Sequence, residues 1–298
     1  MKAKRKKQTW DDMLFDVIIT VFAVVLLIIF IYPLYYLVIA SLSDVDAVVS
    51  GQVKFWFVGF STESYQELLK RSDIWNGYLN SIIITVVGTI VNIVMTILGA
   101  YVLSCPEFLP RTVIMKLITF TMFFGGGLIP TFLLIQSLGL YNTMWALIIP
   151  GAVSVHNLII ARTFFQGNIP NELREAAFLD GCSHTKLLWT VILPLSKAIV
   201  AVLALYYGVG HWNSYFSALV YLRDDDLAPL QLILRRILLS AATAEDTGAD
   251  IATLIKQMNL AEQLKYSSVI VASIPALIAY PFVQKYFVKG VMIGSIKG

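Results

Sequence analysis

Long apolar runs alternate with short polar segments along the whole chain. A helix needs about 20 predominantly apolar residues to cross the hydrocarbon core of a bilayer. Six windows meet that length: 17–40, 81–104, 113–134, 144–164, 188–207 and 269–287. The first follows the basic head Lys2-Ala3-Lys4-Arg5-Lys6-Lys7 and runs for more than 20 residues. A signal-peptide core is shorter, roughly 7–15 residues, so this window is read as a retained span. The pattern predicts an all-α membrane protein, a single transmembrane domain over 1–298 with six transmembrane helices.

Six spans put both termini on one side. Placing the basic head (1–16) inside, and assigning to the inner side the four cations within windows (Lys116, Arg162, Lys197 and Lys285), gives that side 14 Lys+Arg against 7 Asp+Glu, and the outer segments 8 against 12. This bias follows the positive-inside rule and predicts that both termini are cytoplasmic. The segment 167–190 then lies in the cytoplasm, and 208–268 forms a long outer loop. Within that loop, LAPLQLILRRILLSAATA reads as a helix with a broad apolar face. The first outer loop contains FWFVGFSTESYQELLK and predicts a small helix capping the outer face.

Composition agrees with the pattern. Hydrophobic residues make up 58% of the 298, charged ones 14%, and the mean hydropathy is +0.76. A soluble domain of this size needs more polar surface. Cys105 and Cys182 form no CxxC pair, and His156, His184 and His211 lack ligand spacing. The Asp224-Asp225-Asp226 run lacks the rest of a calcium loop and reads as a solvated turn. No metal site, catalytic group or enzyme activity is expected. None of the six windows holds Asp or Glu, and the chain has no GxxxxGK[ST] loop. An ion-coupled carrier often uses an intramembrane carboxylate. Its absence, with that of a phosphate loop, points to energy delivered from outside the chain. An ion-coupled secondary transporter and a non-transporting membrane scaffold remain the alternatives.

Between the fourth and fifth windows lies EAAFLDGCSHTKLLWTVILP, Glu175 to Pro194. Pro170-Asn171 suits a helix start, with Asn171 able to cap free N–H groups. Glu172 and Glu175 fall where the helix dipole favours negative charge. Leu173, Ala176, Ala177 and Asp180 recur at three or four and are expected to share a face. Gly181 suits the residue after a helix, which needs positive φ, and Ser183 can cap the next helix. Pro194 lies one turn into the following span, where a kink is tolerable. The reading is a short helix, a glycine turn and a second short helix at the inner surface, shaped to dock in a groove.

Glu175-Ala176-Ala177, Gly181, Val191 and Leu193-Pro194 resemble the signature loop of ABC-importer inner-membrane permeases. Val191 stands where that family usually has Ile, and Cys182 where it usually has Ala. The segments FFGGGLIPTFLLIQSLGLYNTMWALIIPGAVSVHNLIIARTFFQ, GHWNSYFSALVYL and VMIGSIKG extend the likeness to the carbohydrate-type permeases, in the lipooligosaccharide or complex-oligosaccharide branch. The resemblance implies a type I ABC importer fold in the cytoplasmic membrane and import of an oligosaccharide. It implies a second homologous permease, two cytosolic ATPase subunits that bind ATP and Mg, an extracellular solute-binding protein, and no nucleic acid. It assigns ATPase coupling to Glu175, Ala176, Ala177, Asp180, Gly181, Leu193 and Pro194. A loop near 208–268 would approach the binding protein, and the tail with Lys289 and Lys297 would approach the ATPases.

A sugar path needs aromatic faces and neutral hydrogen-bonding groups. Candidates are Asn92, Gln136, His156, Asn157, Tyr206, Tyr207, Trp212 and Asn213. The same residues could instead hold helices together. Gly125-Gly126-Gly127 before Pro130 marks either a hinge or a site of close helix packing.

Overall fold

The structure, a computed structural model, describes residues 10–242, 259, 262–278 and 280–281. Among these, every regular element is helical, and the strand-like geometry is one isolated bridge between Ser43 and Phe60. The helices are α1 (Trp10–Ser41), α2 (Val45–Val49), α3 (Glu63–Lys70), α4 (Ser72–Ser104), α5 (Arg111–Phe123), α6 (Leu128–Ser137) and α7 (Trp145–Ile148). They continue with α8 (Val155–Asn168), α9 (Asn171–Leu179), α10 (His184–Leu187), α11 (Leu193–Leu195), α12 (Lys197–Trp212), α13 (Phe216–Tyr221) and α14 (Leu230–Ala242). Residues 262–278 are also helical. The described residues fall into two units, one within Met1–Lys70 and Ile237–Val271, the other within Arg71–Arg236 and Ala272–Gly298.

In the first unit, α1 is 32 residues of nearly unbroken apolar sequence. Its buried residues, Ile39, Ala40 and Ser41, are confined to the last turn. They pack with Ala47, Val48 and Val53, and Tyr35, Tyr36 and Tyr266 close over that cluster. Gln263 is fully buried there and donates from Nε2 to the Ser43 carbonyl.

The second unit is organised on α4. This helix starts at Ser72, ahead of the apolar window at 81. Ser72 and Asp73 open a polar first turn, where the helix dipole favours a carboxylate, and Asp73 pairs with Arg71 at 2.7 Å. Further along, Asn80 Nδ2 donates to the Asp226 carbonyl at 2.7 Å and to the Ala228 carbonyl at 3.1 Å. The Ser81 hydroxyl accepts from the Leu230 N–H at 2.8 Å. Asn80 just ahead of the window and Ser81 at its start thus fasten the start of α14 and the segment before it to α4.

The buried stripe of α4 includes Gly77, Ser81, Ile84, Gly88, Asn92, Thr96 and Ala100, at steps of three or four. Small residues on such a stripe let a neighbouring helix come close. That neighbour is α12: a Cβ placed on Gly88 would lie 2.5 Å from His211 Nε2. The main core joins the C-terminal half of α4 to α8, α12 and the segment 187–192, around Phe165, Leu187, Ile192 and Leu203.

Three predicted spans are broken. The window 113–134 is α5 and α6, bent by 114° at 124–127. Gly127 has φ +83°, and a Cβ on Gly125 or Gly126 would meet nothing within 4 Å. The glycines therefore make a discontinuity, and no other part of the described chain packs closely on them. The window 144–164 is α7 and α8, separated by a turn ending at Ser154. The window 188–207 starts as a π-helical turn, Leu188–Ile192, and bends by 83° between Leu195 and Lys197. A proline removes a backbone donor and crowds the preceding turn, and Pro194 stands between the wide turn and the bend. Among the described residues, two helices, α1 and α4, are long and apolar enough to cross a membrane alone, or up to four segments if each bent pair is one span. Of the sixth window, the part described is 269–278 with 280–281; the basic head and the tail with Lys289 and Lys297 lie outside the described residues.

Candidate functional site: a hairpin clamped to the end of α4

The hairpin after α8 forms largely from local rules. Pro170 occupies the N-cap and makes no side-chain cap bond, so Asn171 is the first helical residue and does not cap. Proline's fixed φ and missing N–H suit this end of a helix. At the other end, Gly181 has φ +72°. Its N–H donates to the Phe178 carbonyl at 3.0 Å, and the Cys182 N–H to the Ala177 carbonyl at 2.9 Å. A glycine at positive φ, closed by two such turn bonds, is a common way to end a helix. The Ser183 hydroxyl then caps α10 by accepting from the Lys186 N–H at 3.3 Å.

The predicted shared face of Leu173, Ala176, Ala177 and Asp180 is divided. Leu173, Ala177 and Phe178 pack toward the core, whereas Glu172, Glu175, Ala176 and Asp180 are exposed. Leu179 is 90% exposed, an unusual state for a leucine on a helix. The two alanines therefore differ: Ala177 seats the helix, and Ala176 leaves an open spot beside Glu175. Gly181 and Pro194 are exposed, and Leu193 packs at the edge of the core.

Sequence reasoning gives Arg174 no role, yet it is 3% exposed. Its guanidinium donates to the Ser104 hydroxyl at 3.1 Å and to the Ser104 carbonyl at 3.4 Å, and lies 6.0 Å from the Tyr101 ring centroid. Nε has no partner. A second tie joins the same turn of α4 to α10, where the Tyr101 hydroxyl meets His184 Nδ1 at 2.9 Å. The His184 ring also stands edge-on to Phe178 at 4.8 Å. Arg162 on α8 adds a bond from Nε to the Leu103 carbonyl at 3.0 Å. The last carbonyls of a helix have no partner within it, and cations are favoured there; two arginines answer both needs at the end of α4. Burial pushes the Cys105 thiol, just past that end, above its usual pKa. The available signal for Arg174 is its spacing: it lies between Leu173 and Ala177-Phe178, on the apolar side of α9.

The path candidates separate into two groups. Asn92 is 1% exposed; it donates to the Gly151 carbonyl, and its Oδ1 meets His211 Nε2 at 2.6 Å. The Tyr207 hydroxyl contacts Thr96 Oγ1 at 2.6 Å and accepts from the Ser154 N–H at 3.0 Å. Trp212 donates to the Ala272 carbonyl at 3.1 Å. Asn157 is buried. Gln136, His156, Tyr206 and Asn213 are exposed. Asn92, Tyr207 and Trp212 hold α4, α12 and their neighbours together; the exposed four have surface to offer a ligand. Among the described residues, no group of His, Cys, Asp or Glu could hold a metal ion. Asp224 accepts from Asn142 Nδ2 at 2.9 Å, and Asp225 pairs with Arg236, so the acidic run is a fastened turn.

Residues 101–293 match the family described as binding-protein-dependent transport system inner membrane component. The chain is 38% identical over 286 residues to the polygalacturonan/rhamnogalacturonan transport system permease protein YtcP of Bacillus subtilis, covering 96% of this chain and 99% of that protein. It is 39% identical to protein LplC of the same organism, covering 90% of each. It also resembles a chain in the crystal structure of a bacterial ABC transporter involved in the import of the acidic polysaccharide alginate. That likeness has a TM-score of 0.84 and 31% identity, and covers 95% of this chain and 99% of the other.

Proposed function

The chain belongs to the family of binding-protein-dependent transport system inner membrane components, and from that premise we propose that it forms half of the translocation path of an ATP-driven oligosaccharide importer. It is a multi-pass inner-membrane permease and not an enzyme. A second, similar permease completes the path. Two cytosolic ATPases bind ATP and Mg, and a solute-binding protein delivers cargo on the far side. Six spans with both termini cytoplasmic fit the charge bias.

The observation that carries the coupling assignment is the clamped hairpin. Its exposed side offers Glu172, Glu175, Ala176 and Leu179 to a partner, while Arg174 ties the opposite side to α4. Ala176 lets a partner's chain come close, Glu175 supplies a polar contact, and Gly181 sets the turn. When ATP closes the ATPase dimer, the hairpin is displaced and pulls the end of α4 with it. The breaks at 124–127 and at Ser196 are where helices can change angle without breaking a long hydrogen-bonded ladder. Hydrolysis resets the inward-facing state.

The similarity to YtcP and to the alginate importer favours an acidic oligosaccharide as cargo. Gln136 and His156 offer exposed hydrogen-bonding groups for it. The coupling test is uptake of a labelled oligosaccharide by cells carrying Glu175→Lys. Loss of uptake with normal membrane levels is expected. Full uptake in that variant, or transport by the purified chain alone on an ion gradient, overturns the reading.

A further inference from the structure

The loop between α2 and α3 shows aromatic rings in the open. Phe55 is 76% exposed, Trp56 65% and Phe60 65%. Exposed rings on a slack loop would mean little, but this loop is fastened. The Asp44 N–H donates to the Val58 carbonyl at 2.9 Å, the Ser61 N–H to the Leu42 carbonyl at 3.0 Å, and the Val58 N–H to the Ser43 hydroxyl at 3.2 Å. Gly59 has φ +62°, and a Cβ there would lie 2.9 Å from Asp44 Cβ. The backbone is therefore held while its largest apolar side chains point away from the core.

The loop also turns back along α1. The Tyr32 hydroxyl donates to the Lys54 carbonyl at 3.1 Å, and Tyr35 to the Phe55 carbonyl at 2.6 Å. The Tyr32 and Phe55 ring centroids are 6.2 Å apart. Counting about 20 residues from Val17, the core of a bilayer ends near residue 36. Tyr32, Tyr35 and the loop thus lie at the level where tyrosine and tryptophan collect, between hydrocarbon and headgroups. Lys54 is exposed beside the rings, and a lysine at this depth can reach lipid phosphates.

We propose that Phe55, Trp56 and Phe60 form a membrane-interface anchor that seats in the headgroup and upper acyl region of the bilayer, at the end of α1 away from the N-terminus. The occupant is lipid because the patch is continuous with the exposed apolar surface of α1. The proposal needs α1 to span the membrane and is independent of the coupling hairpin. It is tested in the assembled complex in nanodiscs of phosphatidylethanolamine and phosphatidylglycerol, with Cys105→Ser, Cys182→Ser and a spin label on Trp56→Cys. Gln52→Cys in the same loop is the reference. The label at 56 should collide more often with oxygen than with a water-soluble nickel complex, and the label at 52 should show the reverse. Equal behaviour at 52 and 56 overturns the anchor. So does a label at 56 that is reached by the nickel complex until the solute-binding protein is added, which would make the patch a protein-docking site.

Discussion

The hairpin at 171–195 and the seam between α4 and α12 treat polar residues in opposite ways. On the hairpin, Glu172, Glu175 and Asp180 face outward, and one cation, Arg174, is turned inward. In the seam, Asn92, Thr96, Tyr207 and His211 are directed at one another and at backbone groups. The contrast teaches that polarity in an apolar chain marks either a joint or a partner surface, and that burial tells them apart. A joint should fail by losing stability. A partner surface should fail by losing coupling while the protein stays folded.

The largest effect should come from Glu175→Lys, on the exposed side of α9. Uptake should fall to background while the amount of permease in the membrane stays within the range of the parent, as read by transport assay and immunoblot. Arg174→Ala tests whether the clamp is a joint. It should destabilise the purified complex by about 2–3 kcal/mol, since it strips a buried hydrogen-bonded charge from Ser104, and thermal unfolding measures this. Gly88→Ala should cost about 1–3 kcal/mol, because its new methyl group meets the His211 ring. Asn92→Ala should cost about 1–2 kcal/mol by leaving the Gly151 carbonyl and His211 without their partner. Leu179→Ser should leave stability within about 0.5 kcal/mol yet lower the sugar carried per ATP hydrolysed. A Leu179→Ser protein that unfolds early, or an Asn92→Ala protein that loses uptake at full stability, would erase the distinction.

Much of the hairpin is legible in the sequence because its rules are local. A glycine needing positive φ and a serine cap act within a few residues, and both are observed at Gly181 and Ser183. Pro170 displaces Asn171 from the cap because proline is itself suited to the start of a helix. The path candidates are legible as polar positions in apolar helices. Which of them bond inside the chain is not, because Asn92 meets Gly151 and His211 across 59 and 119 residues.

The sequence by itself determined an apolar, helical membrane chain and the turn chemistry of the hairpin, since periodicity and backbone preference act over a few residues. Tertiary structure alone decided that Arg174 is buried at the end of α4, that Ala176 and Ala177 face different surroundings, and that the spans bend where they do. Those outcomes depend on which helix end, carbonyl or ring lies opposite, and distant parts of the chain supply it.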